Sequence, residues 1–154
     1  MSLLNQMKFA RVYTLGWLQQ AQEEAWDVQP EGFNNTIRWH VGHIFMTMET
    51  LVKKAVPTYE IEHEEWIPLF APGSSPAKWE GDVPGTEALI AALSEQTERL
   101  ANILDGKLQD VLESPMKIGE LLEMNTVEGV VEFVVWHEGV HTGIIHALIK
   151  LTAK

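Results

Sequence analysis

The chain has 154 residues, 45% of them hydrophobic, with 11 Lys plus Arg against 22 Asp plus Glu and no cysteine. That length supports one domain over residues 1–154 with a core of its own, and the missing cysteine removes disulfides, thiolate nucleophiles and Cys-ligated zinc or iron–sulfur sites. A formal charge of -11, with no Lys/Arg stripe interleaved with aromatics, argues against nucleic acid and anionic membrane surfaces as partners.

The opening residues MSLLNQMKFARVYTLGW have neither the basic start nor the cleavage pattern of a signal peptide, and no stretch approaches 18 uncharged apolar residues. A cytoplasmic protein is the expectation. From Ser2 to Trp26, a mostly apolar stripe through Leu4, Met7, Ala10, Arg11, Thr14, Leu15, Leu18, Ala21, Gln22 and Ala25 predicts a first helix, closed by Pro30 and Gly32. The Asn34-Asn35-Thr36 cluster can cap a second helix that runs to Val56, before Pro57. Its inner face is expected at Ile37, Val41 or His40, Ile44, Met48, Leu51 and Ala55.

Residues 57–83, rich in Pro and Gly, read as a long loop carrying Tyr59, Trp66, Leu69, Phe70 and Trp79. Loops of that length inside a compact domain are often functional. Its aromatics either tack it to the core or cover a site as a lid. A third helix follows from Pro84-Gly85-Thr86 to Leu104, terminated by Gly106, and after an irregular stretch Asn125-Thr126 starts a fourth that continues nearly to the C-terminus. That last helix is apolar over most of its circumference between Val127 and Leu151, so it is expected to be the most buried. No segment shows strand alternation of useful length. The fold class expected is all-α, a four-helix bundle with a long loop between the second and third helices, a scaffold that builds metal sites from side chains on facing helices.

Four of the six histidines form two helical clusters: His40 with His43, and His137 with His141. His137 and His141 are four apart, one turn along the same face, and can bind one metal ion from a rigid backbone. Either His40 or His43 can supply a third nitrogen if the second and fourth helices pack side by side. Three imidazoles with open positions describe a catalytic type of metal site. Core histidines bonded to backbone carbonyls are the ordinary alternative, and that or plain exposure accounts for His63 and His146. Residues 137–141 also match the H-E-x-x-H zinc-protease motif. The match is formal, because His146 is too far around the helix to be a third ligand and no strands line a cleft.

The stretches TIRWHVGHIFMTMETL and VVEFVVWHEGVHTGIIHAL, with the helix order and the long second connection, resemble the DinB-like superfamily, the DinB/YfiT-like metalloenzymes, over nearly the whole chain. The resemblance implies a four-helix bundle with one histidine ligand from the second helix and an H-x-x-x-H pair from the last. Carried over, these are His43, His137 and His141, with His40 beside the site or in the core. It further implies a homodimer, a divalent transition metal (Zn, Ni or Fe), a small-molecule substrate and, by analogy with thiol-dependent branches, a low-molecular-weight thiol. The expected function is therefore a metal-dependent enzyme, thiol S-transferase-like or hydrolase. The alternative is a non-catalytic metal or small-molecule binding protein or sensor.

Glu138 reads either as a general base at a metal or as a flank carboxylate with an ordinary partner, and Glu49 and Glu132 as possible holders of a ligand histidine. Gly139 and Gly143, four apart on the last helix, imply close approach of a neighbouring helix or of a partner subunit. Trp39 and Trp136, each just before a histidine, read as packing residues or as a dry wall of the cavity.

Overall fold

The computed structural model describes residues 2–153. In chain order the elements are α1 (Leu3–Leu18), α2 (Ile37–Ala55), α3 (Ile67–Phe70), α4 (Thr86–Leu104), β1 (Val111–Ile118), β2 (Leu122–Thr126) and α5 (Val127–Thr152), with 3-10 turns at Glu23–Ala25, Glu64–Trp66 and Pro76–Lys78. Side-chain caps start three of the long helices: Ser2 accepts from Asn5 N–H, Thr36 from Trp39 N–H and Thr126 from Gly129 N–H, each satisfying a donor that the first helical turn leaves orphaned. Gly106 follows α4 with φ +74°, a conformation open to glycine at no steric cost.

Each long helix packs on two others, α1 against α4 and α5, and α2 against α4 and α5. Two apolar clusters fill the space between them. One gathers Trp26, Ile37, Phe45, Phe70, Leu89 and Leu148; the other gathers Met7, Met48, Leu100, Val127, Val130 and Val134. Between them along the helices lie the buried polar residues Arg11, Thr14, Glu49, Gln96, Glu138 and Thr142. Buried polar groups are tolerated only when bonded, and these bond one another across all four long helices. Arg11 Nε donates to Glu138 (2.8 Å) and its Nη2 to Gln96 Oε1 (2.9 Å), while Gln96 Nε2 donates to Glu49 Oε1 (2.7 Å).

Several expectations are corrected. The first helix stops at Leu18, because Gln20 and Ala21 N–H bond Trp17 and Leu18 carbonyls in tight turns; Ala21, Gln22 and Ala25 lie beyond it, and Trp26 is tucked into the core. The fold is mostly helical but not all-α, since residues 111–126 form an antiparallel hairpin. Its strands bury only Leu112 and Met124, so no apolar alternation marks them, and Pro115 falls where the register slips between Val111 and Met116, a position that spares proline a ladder bond. The most buried helix is α2, not α5: α2 is enclosed by α3, α4 and α5, whereas α5 leaves Trp136, Val140 and Leu151 exposed. The long loop contains α3 and two 3-10 turns that seat Trp66, Leu69 and Phe70 in the core. Among the described residues no helix is long and apolar enough to cross a membrane.

Candidate metal centre

His43 comes from the middle of α2, and His137 and His141 from consecutive turns of α5. The packing of these two helices brings the three rings together. His137 Nε2 stands 3.1 Å from His43 Nε2 and 3.1 Å from His141 Nε2, and one ring nitrogen from each histidine lies within 4.8 Å of the others. His43 is buried; the other two are half-buried.

The far side of the His43 ring fixes its protonation pattern. Its Nδ1 lies 2.6 Å from the Phe70 carbonyl oxygen, which can only accept, so Nδ1 carries the proton and Nε2 a free lone pair. Trp39 stacks on the same ring, with centroids 4.4 Å apart, and its indole N–H is held by Ser74 Oγ at 2.9 Å. His141 Nδ1 lies 2.8 Å from His40 Nδ1. When His141 donates there, its Nε2 also presents a lone pair to the centre of the cluster.

Burial pushes all four imidazoles down. His137 falls to about 4, with the nearby His43 adding to the effect, and His141 to about 3, with His137 and His43 adding. His40 falls to about 3 through burial and then His141 and His43. For His43 burial outweighs the opposing bond to the Phe70 carbonyl. Near neutral pH the cluster is thus a set of neutral nitrogen donors, the form that binds metal. The spacing suits a cation: with metal–nitrogen bonds of about 2.0–2.1 Å, donors 3.1 Å apart subtend roughly 100°. The donor set and its geometry are compatible with metal binding.

Other residues singled out in the sequence lie elsewhere. Glu138, beside His137 in the chain, turns into the core and pairs with Arg11 and Thr14, each at 2.8 Å; that engagement removes it as a free base and ends the protease analogy. Glu49 accepts from Gln96 and Arg99 and from the Tyr59 hydroxyl, so it holds no ligand histidine, and Glu132 is exposed. His63 stacks on Trp66 and His146 on Trp17. Trp39 is a wall of the site, while Trp136 is exposed on α5. The contribution that residue patterns missed is a backbone atom, the Phe70 carbonyl, whose only trace in the sequence is the aromatic loop carrying it.

A model of the DinB superfamily matches residues 6–145. The chain belongs to that superfamily. A search of curated proteins finds none that matches.

Proposed function

We propose that the protein is a metal-dependent enzyme acting on a small molecule, a cytoplasmic homodimer of four-helix bundles of the DinB/YfiT type in which His43, His137 and His141 hold one divalent transition metal. The observation that carries this reading is the convergence of three neutral imidazole nitrogens, one with its lone pair fixed inward by a main-chain carbonyl. Imidazole donors suit Zn, Ni or Fe. When bound, such a cation supplies Lewis acidity that makes a thiol or a water nucleophilic near neutral pH, which supports thiol S-transfer with a low-molecular-weight thiol, or hydrolysis. The chain's own contribution is to orient three donors and to wall one side of them with Trp39.

The dimer reading is supported by the outer faces of α1 and α5. Phe9, Val12, Tyr13, Trp136 and Val140 are exposed there. A groove of about 520 Å³ runs between the helices past Tyr13, Trp17, Gly139 and Gly143. A Cβ at either glycine would meet nothing within 4 Å, so the close approach that those residues permit is available to a second copy.

A second reading, a non-catalytic metal or small-molecule binding protein, is favoured by one observation: the carboxylate nearest the histidines in sequence, Glu138, is committed to Arg11. A screen of thiol-transfer and hydrolase substrates with metal-loaded protein separates the two. Turnover by the wild type that is lost in His43→Ala supports the enzyme; tight metal binding with no turnover supports the second reading.

A further inference from the structure

Gly42 precedes His43 on α2, and the ring of Phe70 lies directly on it. A Cβ at residue 42 would stand 2.5 Å from Phe70 Cγ and nearer still to two other ring carbons, a separation that real side chains do not adopt. The root of the ring is involved as well as its tip, so relief requires moving Phe70 itself. The ring has little room to move: it is fully buried, with Trp66 and Trp79 against it edge-on at 6.4 and 5.6 Å.

The same C-terminal end of the short helix that carries Phe70 is also held by side-chain bonds. Leu69 O accepts from Trp79 Nε1 and from Ser74 Oγ, both at 2.8 Å, and Ser74 Oγ in turn accepts from Trp39 Nε1. The segment therefore reaches α2 through three connected points: the Phe70 ring over Gly42, the Phe70 carbonyl on His43 Nδ1, and Ser74 on the Trp39 that stacks on His43.

We propose that Gly42 and Phe70 are positioning residues of the three-histidine site: the ring seated on the bare backbone of Gly42 sets the height of α3 over α2, so that the Phe70 carbonyl holds His43 Nδ1–H and leaves Nε2 free for the cation. This rests on the metal-binding reading and adds to it the part of the chain that prepares one ligand. The glycine is explained by the same contact. Glycine is disfavoured inside a helix relative to alanine, yet here the smaller residue is what lets a carbonyl from a loop reach a ligand histidine, and partners of that kind commonly govern metal affinity 10–100-fold.

The test uses Gly42→Ala in the full chain, with cobalt(II) as the probe. Because alanine favours the helix, α2 is expected to persist while α3 is lifted. Cobalt should bind the variant on the order of 10–100-fold more weakly than wild type, and Gly42→Ala combined with Phe70→Ala, which removes the ring but keeps the main-chain carbonyl, should recover part of that loss. Nitrogen-15 spectra of the metal-free wild type at pH 7.5 should show His43 as the Nδ1–H tautomer, and spectra of Gly42→Ala a mixture. This second readout does not depend on the double variant folding. Equal cobalt affinity in wild type and Gly42→Ala, or an Nε2–H tautomer at His43 in the wild type, overturns the inference alone. Failure of the wild type to bind cobalt overturns the metal reading, and the inference with it.

Discussion

His40 and His43 stand one turn apart on α2 and take different parts: His43 turns its Nε2 to the α5 pair, and His40 bonds the rear nitrogen of His141. Replacing His43 by Ala should therefore abolish tight metal binding, while His40→Ala should weaken it on the order of tenfold and leave the stoichiometry unchanged. Titration with zinc in a competing chelator measures both, and complete loss in His40→Ala with retention in His43→Ala would invert the assignment. Arg11 poses a separate question, because its guanidinium and the Glu138 carboxylate are both about 1% exposed. Removing one partner of such a pair strands a buried charge, so Arg11→Met should cost about 3–5 kcal/mol in urea unfolding, and adding Glu138→Leu should recover much of it. A loss below about 1 kcal/mol would show that the pair does not organise the polar layer. At this scale the histidine pair on α5 was legible from spacing alone, since i and i+4 share a face on any helix. Choosing between His40 and His43 was not, because spacing brings both near the same partner; the family resemblance separated them. Arg11 did leave a signal, since it falls within the otherwise mostly apolar stripe of the first helix.

The elements that carry the site are those with explicit boundaries. α2 begins where Thr36 caps it, with its hydroxyl accepting from Trp39 N–H at 3.2 Å. Thr36→Ala should cost about 1 kcal/mol of stability and leave metal affinity within about twofold, because the cap lies almost two turns before His43. Thermal unfolding and metal titration of the same variant check both halves. Thr36, Pro57, Gly85 and Gly106 made α2 and α4 readable to within a residue or two. The hairpin was unreadable for the opposite reason, since Leu112 and Met124 are its only buried apolar side chains and one proline interrupts the pattern. The loop before α4 was legible as aromatic and important, but its route to the site runs through a main-chain carbonyl that no residue pattern encodes. Its large side chains act as anchors, and the backbone makes the contact with His43.

Across the whole molecule, four imidazoles, two buried and two half-buried, tie stability to pH. In the unfolded chain each titrates near 6.5; in the fold His137 titrates near about 4, and His40 and His141 near about 3. Between those values the unfolded state binds more protons, so stability is full above about 6.5 and declines as pH falls toward the folded values. Metal-free protein should melt at a lower temperature at pH 5 than at pH 7.5, and His40→Asn should reduce that difference. Metal binds the same neutral nitrogens, so protons compete with it and its stabilisation fades over the same acidic range. At pH 7.5 free metal at 100 times its dissociation constant adds about 2.7 kcal/mol. Because two apolar clusters and a bonded polar layer form without metal-ligand bonds, the chelated protein should stay folded.

The exposed apolar faces of α1 and α5 also belong to this scale, since a monomer that leaves Phe9, Val12, Tyr13 and Trp136 in water gains from covering them. Light scattering on the wild type should give twice the 17.4 kDa chain mass, and Val12→Glu with Tyr13→Glu should shift it to one chain. A monomeric wild type at micromolar concentration would remove the dimer from the account.

The most direct test of the central claim is the metal content of protein produced without an affinity tag, compared with that of the His137→Ala, His141→Ala double variant by elemental analysis. About one equivalent of a divalent transition metal per wild-type chain and almost none in the double variant is the expected result. Equal metal in the two proteins, or none that the wild type retains against buffer after loading, would contradict the assignment of His43, His137 and His141 as a metal site.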